Sequence, residues 1–423
     1  MTTSYFPGIR FFRNTLVLAT AFAILCVMTL PELADAITPS TTAVTPITVG
    51  NNPYDIAVSP DGASVWVPNQ SSNTVSRINT ATNVVTPITV GTNPVHVAVS
   101  PDGASVWVTN QGGNTVSRIN TTTNNVTSIT VGDSPYGVAV SPDGASVWVT
   151  NILSDTVSRI NTTNNNVTPI NVGDYPYGVA VSPDGSSVWV TNQGGNTVSR
   201  INTTTNNVTP INVGTTPNGV AVSPDGSSVW VTNQSSTVSR INTTTNAVTP
   251  INVGDYPFGV AVSPDGSSVW VTNQSSNTVS RINATTNNVT SITVGNVPYN
   301  IAVSPDGSSV WLTNYNDGTV SRIIFPPQPP DNVTATPGNA QATISWTAPA
   351  NTGGSPITGY TATASVGGPS CTTTTATSCT ISGLTNGTTY YVSVTATNAV
   401  GISDPSVVAV TPSSDPVAPA FTG

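Results

Sequence analysis

The pentapeptide VSPDG occurs seven times in this 423-residue chain, and nothing else in the sequence narrows the possible folds so far. Its aspartates are Asp61, Asp102, Asp143, Asp184, Asp225, Asp265 and Asp306, at spacings of 41, 41, 41, 41, 40 and 41 residues. Five residues after each comes a tryptophan: Trp66, Trp107, Trp148, Trp189, Trp230, Trp270 and Trp311. Each unit also carries one arginine, in VSRI, from Arg77 to Arg322. A fixed period of this length marks a repeated supersecondary unit that buries its apolar faces against its neighbours.

One unit, residues 135–173, reads PYGVAVSPDGASVWVTNILSDTVSRINTTNNNVTPINVG. It parses into four short strands: GVAVS, SVWVTN, TVSRIN and NVTPINV. The PDG turn between the first two places glycine where a positive φ is needed. Four strands in about 40 residues is the signature of a propeller blade. The seventh repeat ends after its third strand, TVSRII at 319–324, and a spare fourth strand, AVTPITVG at 43–50, precedes the first repeat. The fold expected is therefore all-β: a seven-bladed β-propeller over residues 41–324, closed by an N-terminal strand.

The name-giving segment of these units is WVTN in repeats two to six, WVPN in the first and WLTN in the seventh. They resemble the YVTN family of propeller repeats found in surface-layer and other exported proteins. Beyond FPPQPP (325–330), expected to be a stiff polyproline linker holding two domains apart, residues 331–413 resemble a fibronectin type III domain. Trp346 in ATISW, Tyr360 in ITGY, and Leu384 six residues before Tyr390 carry that second resemblance. It implies a β-sandwich followed by a flexible tail at 414–423. Cys371 and Cys379 fall outside the usual pattern of that family and are expected to form a disulfide stapling a hairpin.

The first 36 residues read as a signal peptide. Arg10 and Arg13 precede an uncharged apolar run at 15–30, and Ala34-Asp35-Ala36 offers a small-residue cleavage site. An uncleaved anchor is the alternative, although the run is short for a membrane span. After cleavage no membrane span is expected, and the protein would be secreted or held at the cell surface, the periplasm being possible.

Composition bears most on chemistry. The chain has no lysine, a formal charge of −9, and its single glutamate lies in the targeting segment. Clustered basic residues for nucleic acid are missing. His96 is the lone histidine, so any Ser-His-Asp triad depends on it, and His/Cys metal clusters cannot be assembled. No metal or cofactor is called for. Some propellers resembling this one are lyases acting on cyclic peptide antibiotics, and these rely on histidines and a glutamate, a pattern this chain lacks. The PDG aspartates are read as turn residues rather than calcium ligands. The tryptophans are read as wedges between blades rather than a sugar-stacking ring. The arginines are expected to pair with a nearby acceptor, such as a PDG aspartate.

Comparing the repeats with one another locates a candidate site. The PDG and NTTTNN turns scarcely vary, whereas the loop between strands two and three and the lead-in to strand one do. Both variable loops are expected on one face, where a protein or glycan ligand would bind. The residue opening strand one is glycine in repeats three to six but Asp55, His96 and Asn300 in repeats one, two and seven. Ring closure would gather these with Tyr54 and Tyr299 into a small polar site. Drift in terminal repeats is the other reading. The function expected is non-catalytic binding or adhesion. The rivals are an enzyme using the Asp55/His96/Asn300 sector and a surface-layer or matrix component.

Overall fold

The computed structural model describes residues 45–365 and 368–414; the expected signal peptide lies outside them, as does all of the expected tail but Ser414. Seven antiparallel sheets of four strands each carry the repeats, and two further sheets form the C-terminal region. In the third repeat the strands are Pro135–Val140, Ser146–Asn151, Thr156–Asn161 and Val167–Asn171, paired in that order.

Local chemistry dictates the turns between them. Asp143 Oδ1 accepts from Ser141 Oγ (2.5 Å) and Ala145 N (2.9 Å), while Gly144 sits at φ 69° and donates its N–H to Ser141 O. The PDG aspartates are thus turn residues, as expected. At the next constant turn, Asn161 Oδ1 accepts from Thr163 N (3.0 Å) and Asn165 takes φ 59°. Asparagine tolerates this left-handed conformation better than most residues, which explains its recurrence there.

The second strand, SVWVTN, is buried along its whole length. Trp148 packs against Val157 and Ile170 of its own sheet and against Val188, Val190 and Ile201 of the next. The same arrangement joins the last and first repeats: Trp311 lies among Ile47 and Val320 on one side and Ile56, Val65, Val67 and Ile78 on the other. The tryptophans are wedges between neighbouring sheets. Each carries an arginine over its ring at 4.8–5.4 Å, a cation–π contact that also covers the indole.

The expected arginine–aspartate pairing is not what forms. Arg77 donates Nε to Ser64 Oγ (3.1 Å) and Nη1 to Thr121 O of the next repeat (2.8 Å). Arg118, Arg159 and Arg200 do the same to Thr162, Thr203 and Thr243, and Arg240 to Ala284. The turn already uses its aspartate, so the guanidinium serves as a strap between sheets.

The segment before the first repeat supplies the strand that the last one lacks. Thr45–Thr48 pairs antiparallel with Thr319–Ile324, in the register Thr45↔Arg322 and Ile47↔Val320.

The C-terminal region is a sandwich. One sheet holds Asp331–Gly338, Gln341–Thr347 and Ser378–Ser382; the other holds Ser370–Thr373, Ile357–Ala364, Tyr390–Asn398 and Ser406–Val410. Trp346, Tyr360 and Leu384 lie in its core, and the Tyr390 hydroxyl accepts from Thr385 N (3.1 Å).

The disulfide and the linker both differ from expectation. The Cys371–Cys379 disulfide forms, but it joins strands belonging to opposite sheets and so ties the sandwich across its layers, not a hairpin within one. Nor does FPPQPP hold the domains apart. Phe325 donates its N–H to Gly353 O (2.7 Å), its carbonyl accepts from Asn398 Nδ2 (2.9 Å), and its ring meets Trp270 at 5.3 Å. Proline stiffness sets the shape of the segment, and these contacts seat it between propeller and sandwich.

Candidate functional site

The two variable loops of each repeat do share a face. Gln70 N donates to Asn52 O and Asn93 N to Asn73 Oδ1, linking the loop after strand two to the lead-ins on either side of it. The constant turns meet on the other face, where Thr80 Oγ1 donates to Gly62 O.

Behind the variable loops, the threonine of WVTN accounts for much of the sequence signature. Thr191 Oγ1 accepts from Gly178 N of its own sheet (2.8 Å) and donates to Asn218 O of the next (2.6 Å). Thr109, Thr150, Thr232 and Thr272 repeat the donation at 2.5–2.7 Å, and Thr313 makes it to Tyr54 O of the first repeat at 3.3 Å. Each hydroxyl therefore staples one sheet to its neighbour. The glycine that it serves is dictated by the same proximity: a Cβ on Gly178 or Gly219 would stand 2.5 Å from a carbonyl oxygen of the next repeat.

Repeat one has Pro68 in place of the threonine, and so offers no hydroxyl toward repeat two. Asp55 stands in for it. Its Oδ2 accepts from Val97 N (2.8 Å) and lies 3.0 Å from His96 Nδ1, the one ion-pair contact recorded among the described residues. A carboxylate and an imidazole thus bridge the only junction that the threonine hydroxyl cannot.

The five residues singled out from the sequence do come together. Tyr299 OH donates to Tyr54 OH (2.9 Å), Asn300 Nδ2 reaches Tyr54 O (3.5 Å), and the His96 ring stands edge-on to Tyr54 at 5.9 Å. Sequence comparison missed the rest of the cluster. Tyr136 hydrogen-bonds Tyr54 through the two hydroxyls (2.6 Å) and also Tyr177; Phe258 packs on Tyr299 (4.1 Å), and Tyr315 bonds Gln70. The signal was present: the residue after the lead-in proline is aromatic in five of the seven repeats.

The result is a plug of rings. Tyr54 and Tyr136 are 7% and 1% exposed. Burial, together with the neighbouring phenols, pushes the hydroxyls of Tyr54, Tyr136, Tyr177 and Tyr299 above the usual tyrosine range, so they act as neutral hydrogen-bonding groups. His96 Nε2 is buried and has no hydrogen-bond partner. Among the described residues no helix is long and apolar enough to cross a membrane.

The Virginiamycin B lyase family model matches residues 40–246 and, in an overlapping second match, 166–329. The fibronectin type III domain model matches 327–411. Two solved structures share the fold of the repeat region. One is Kuenenia stuttgartiensis hydrazine synthase, at 23% identity over 65% of this chain and 96% of its own, with a TM-score of 0.61. The other is a catalytically inactive histidine-to-alanine variant of virginiamycin B lyase from Staphylococcus aureus with quinupristin, at 22% identity over 67% of this chain and 99% of its own, with a TM-score of 0.60.

Proposed function

The chain belongs to the Virginiamycin B lyase family, and within it we propose a non-catalytic, exported binding or adhesion protein. Its repeats, of the YVTN type, would form a closed seven-bladed ring that offers the variable-loop face to a protein or glycan, with the fibronectin type III domain as spacer or second contact surface. The observation carrying this reading is the use made of the one histidine. His96 joins Asp55 in bridging the junction that Pro68 leaves without a hydroxyl, and its remaining nitrogen is sealed beneath the tyrosine plug. The recurring aspartates and tryptophans are likewise committed to turns and wedges, and the arginines of repeats one to five to straps.

An enzymatic reading has one specific observation in its favour. A carboxylate on Nδ1 with Nε2 uncommitted is the arrangement of an oriented general base. Incubating the purified protein with quinupristin separates the two readings. The non-catalytic reading expects intact quinupristin by mass spectrometry, and retained binding to hits from a glycan and peptide array after His96→Ala. Turnover that disappears in that variant overturns it.

A further inference from the structure

Five of the seven junctions between neighbouring repeats show one full arrangement on the constant-turn face, the sixth keeps its serine bond, and the junction of repeat seven with repeat one departs from them. In repeats one to five the arginine spends Nε on the serine opening strand two and Nη1 on a carbonyl of the next repeat. Arg281 of repeat six keeps the serine bond, to Ser268 Oγ at 3.0 Å. In repeat seven Ser309 Oγ accepts from Trp311 Nε1 instead. Arg322 Nε is buried with no hydrogen-bond partner, and the one recorded bond of its guanidinium is a long one from Nη2 to Gly354 O (3.5 Å).

That guanidinium lines a cavity of about 470 Å³ between the two repeats, walled by Pro60, Pro305, Trp311, Asp61 and Asp306. We propose that this cavity is a binding site for a neutral polyhydroxylated ligand, of the size of a monosaccharide.

The charge of the walls selects the class. One guanidinium stands with two carboxylates, so an anion meets Asp61 and Asp306 and a cation meets Arg322. A hydroxyl suits both, because it accepts from the guanidinium while donating to a carboxylate. Both recorded bonds to Asp61, from Ser59 Oγ and Ala63 N, use Oδ1, which leaves Oδ2 for an outside donor. Pro60 and Pro305 supply the apolar wall that a sugar ring packs on, while the Trp311 indole lies buried behind Arg322. The site lies on the face opposite the variable loops and stands independently of the function proposed there.

Saturation-transfer NMR and calorimetry of the full chain with D-glucose, D-mannose and N-acetylglucosamine test the inference, with acetate and free lysine as charged probes. The expected result is millimolar binding of at least one sugar. Arg322→Gln weakens it about tenfold, consistent with loss of a charge-assisted donor, and Asp61→Asn weakens it severalfold. Arg159→Gln, at a junction where Nε and Nη1 both have protein partners, leaves it unchanged; thermal melts of the variants check that each is folded. No binding of any sugar, tighter binding of acetate or lysine, or equal loss in Arg159→Gln overturns the proposal.

Discussion

Replacing Thr191 by valine removes one hydroxyl and little else, which makes it a direct test of the staple between sheets. The side chain is fully buried, and its oxygen makes two short bonds: from Gly178 N (2.8 Å) and to Asn218 O (2.6 Å). Both backbone groups fall in stretches where strand pairing is interrupted, between Pro176 and Val179 and between Pro217 and Val220, so neither has a ladder partner to fall back on. Each lost bond is worth about 1 kcal/mol net, and a buried polar group left unpaired costs about 1–3 kcal/mol. The expected destabilisation is about 2–4 kcal/mol for Thr191→Val. Thr191→Ser keeps the hydroxyl and loses only a methyl group, at about 1 kcal/mol. Urea unfolding followed by tryptophan fluorescence gives both values, since the seven wedge indoles report sheet separation. A valine variant no less stable than the serine variant refutes the staple.

Three further outcomes are expected. Asp184 and Asp225 are held at about 2 by hydrogen bonds from Ser182 and Ser223 and from the neighbouring serine residues. A depressed carboxylate stabilises the fold above its unfolded value, near 4, and that contribution is lost as pH falls toward 2. Thermal midpoints should therefore drop across this window, and drop less in Asp184→Asn/Asp225→Asn; an unchanged acid limb counts against the turn account. Reducing Cys371–Cys379, which closes a short loop (sequence separation 8), should lower the sandwich's stability by about 2–3 kcal/mol and leave the repeat region's transition in place, read by calorimetry with and without reductant. Asn398→Ala removes donors to Phe325 O and Thr352 O, so the linker should become sensitive to limited proteolysis while both domains stay folded; equal resistance in variant and parent argues against a seated linker.

Strand identity and the repeat of four-stranded sheets were legible because the period is unbroken and the turns have strong local chemistry: the bonds of Asp143 and Gly144 to Ser141 stay within the turn itself. The spare strand before repeat one was legible from the truncated seventh unit, and its pairing with Thr319–Ile324 follows. Long-range partners were not legible. Nothing in VSRI tells that Arg77 will reach Thr121, 44 residues away, in preference to a nearer aspartate. The disulfide was legible as a pair, but its placement across two sheets depends on where the chain crosses between layers. Of the candidate site, Asp55, His96 and Asn300 were found because they break the pattern, and Tyr54 and Tyr299 because they adjoin two of those departures. Tyr136 and Tyr177 were passed over because they sit where the pattern holds.

The same reasoning explains why the irregular residues cluster. Glycine opens strand one in repeats three to six because the next sheet's carbonyl occupies the space of a Cβ, and the threonine staple holds that carbonyl there. Once Pro68 removes the hydroxyl, the geometry between repeats one and two is no longer set by it, and a side chain at position 55 has both room and a role. Asp55 fills that role, and His96 follows because the carboxylate needs a donor. At Asn300 the staple from Thr313 is longer than in repeats two to six (3.3 Å), and the asparagine adds a second contact to the same Tyr54 carbonyl. Proline for threonine in repeat one thus accounts for Asp55 and a long staple for Asn300, whereas His96 stands beside an intact 2.5 Å staple from Thr109 and is tied to the change only through its contact with Asp55. Restoring the hydroxyl by Pro68→Thr should accordingly render Asp55 and His96 dispensable for stability: combined with Asp55→Gly and His96→Gly, it should recover the melting temperature that the two glycine changes lose alone. No recovery would mean that the pair does something other than hold the junction.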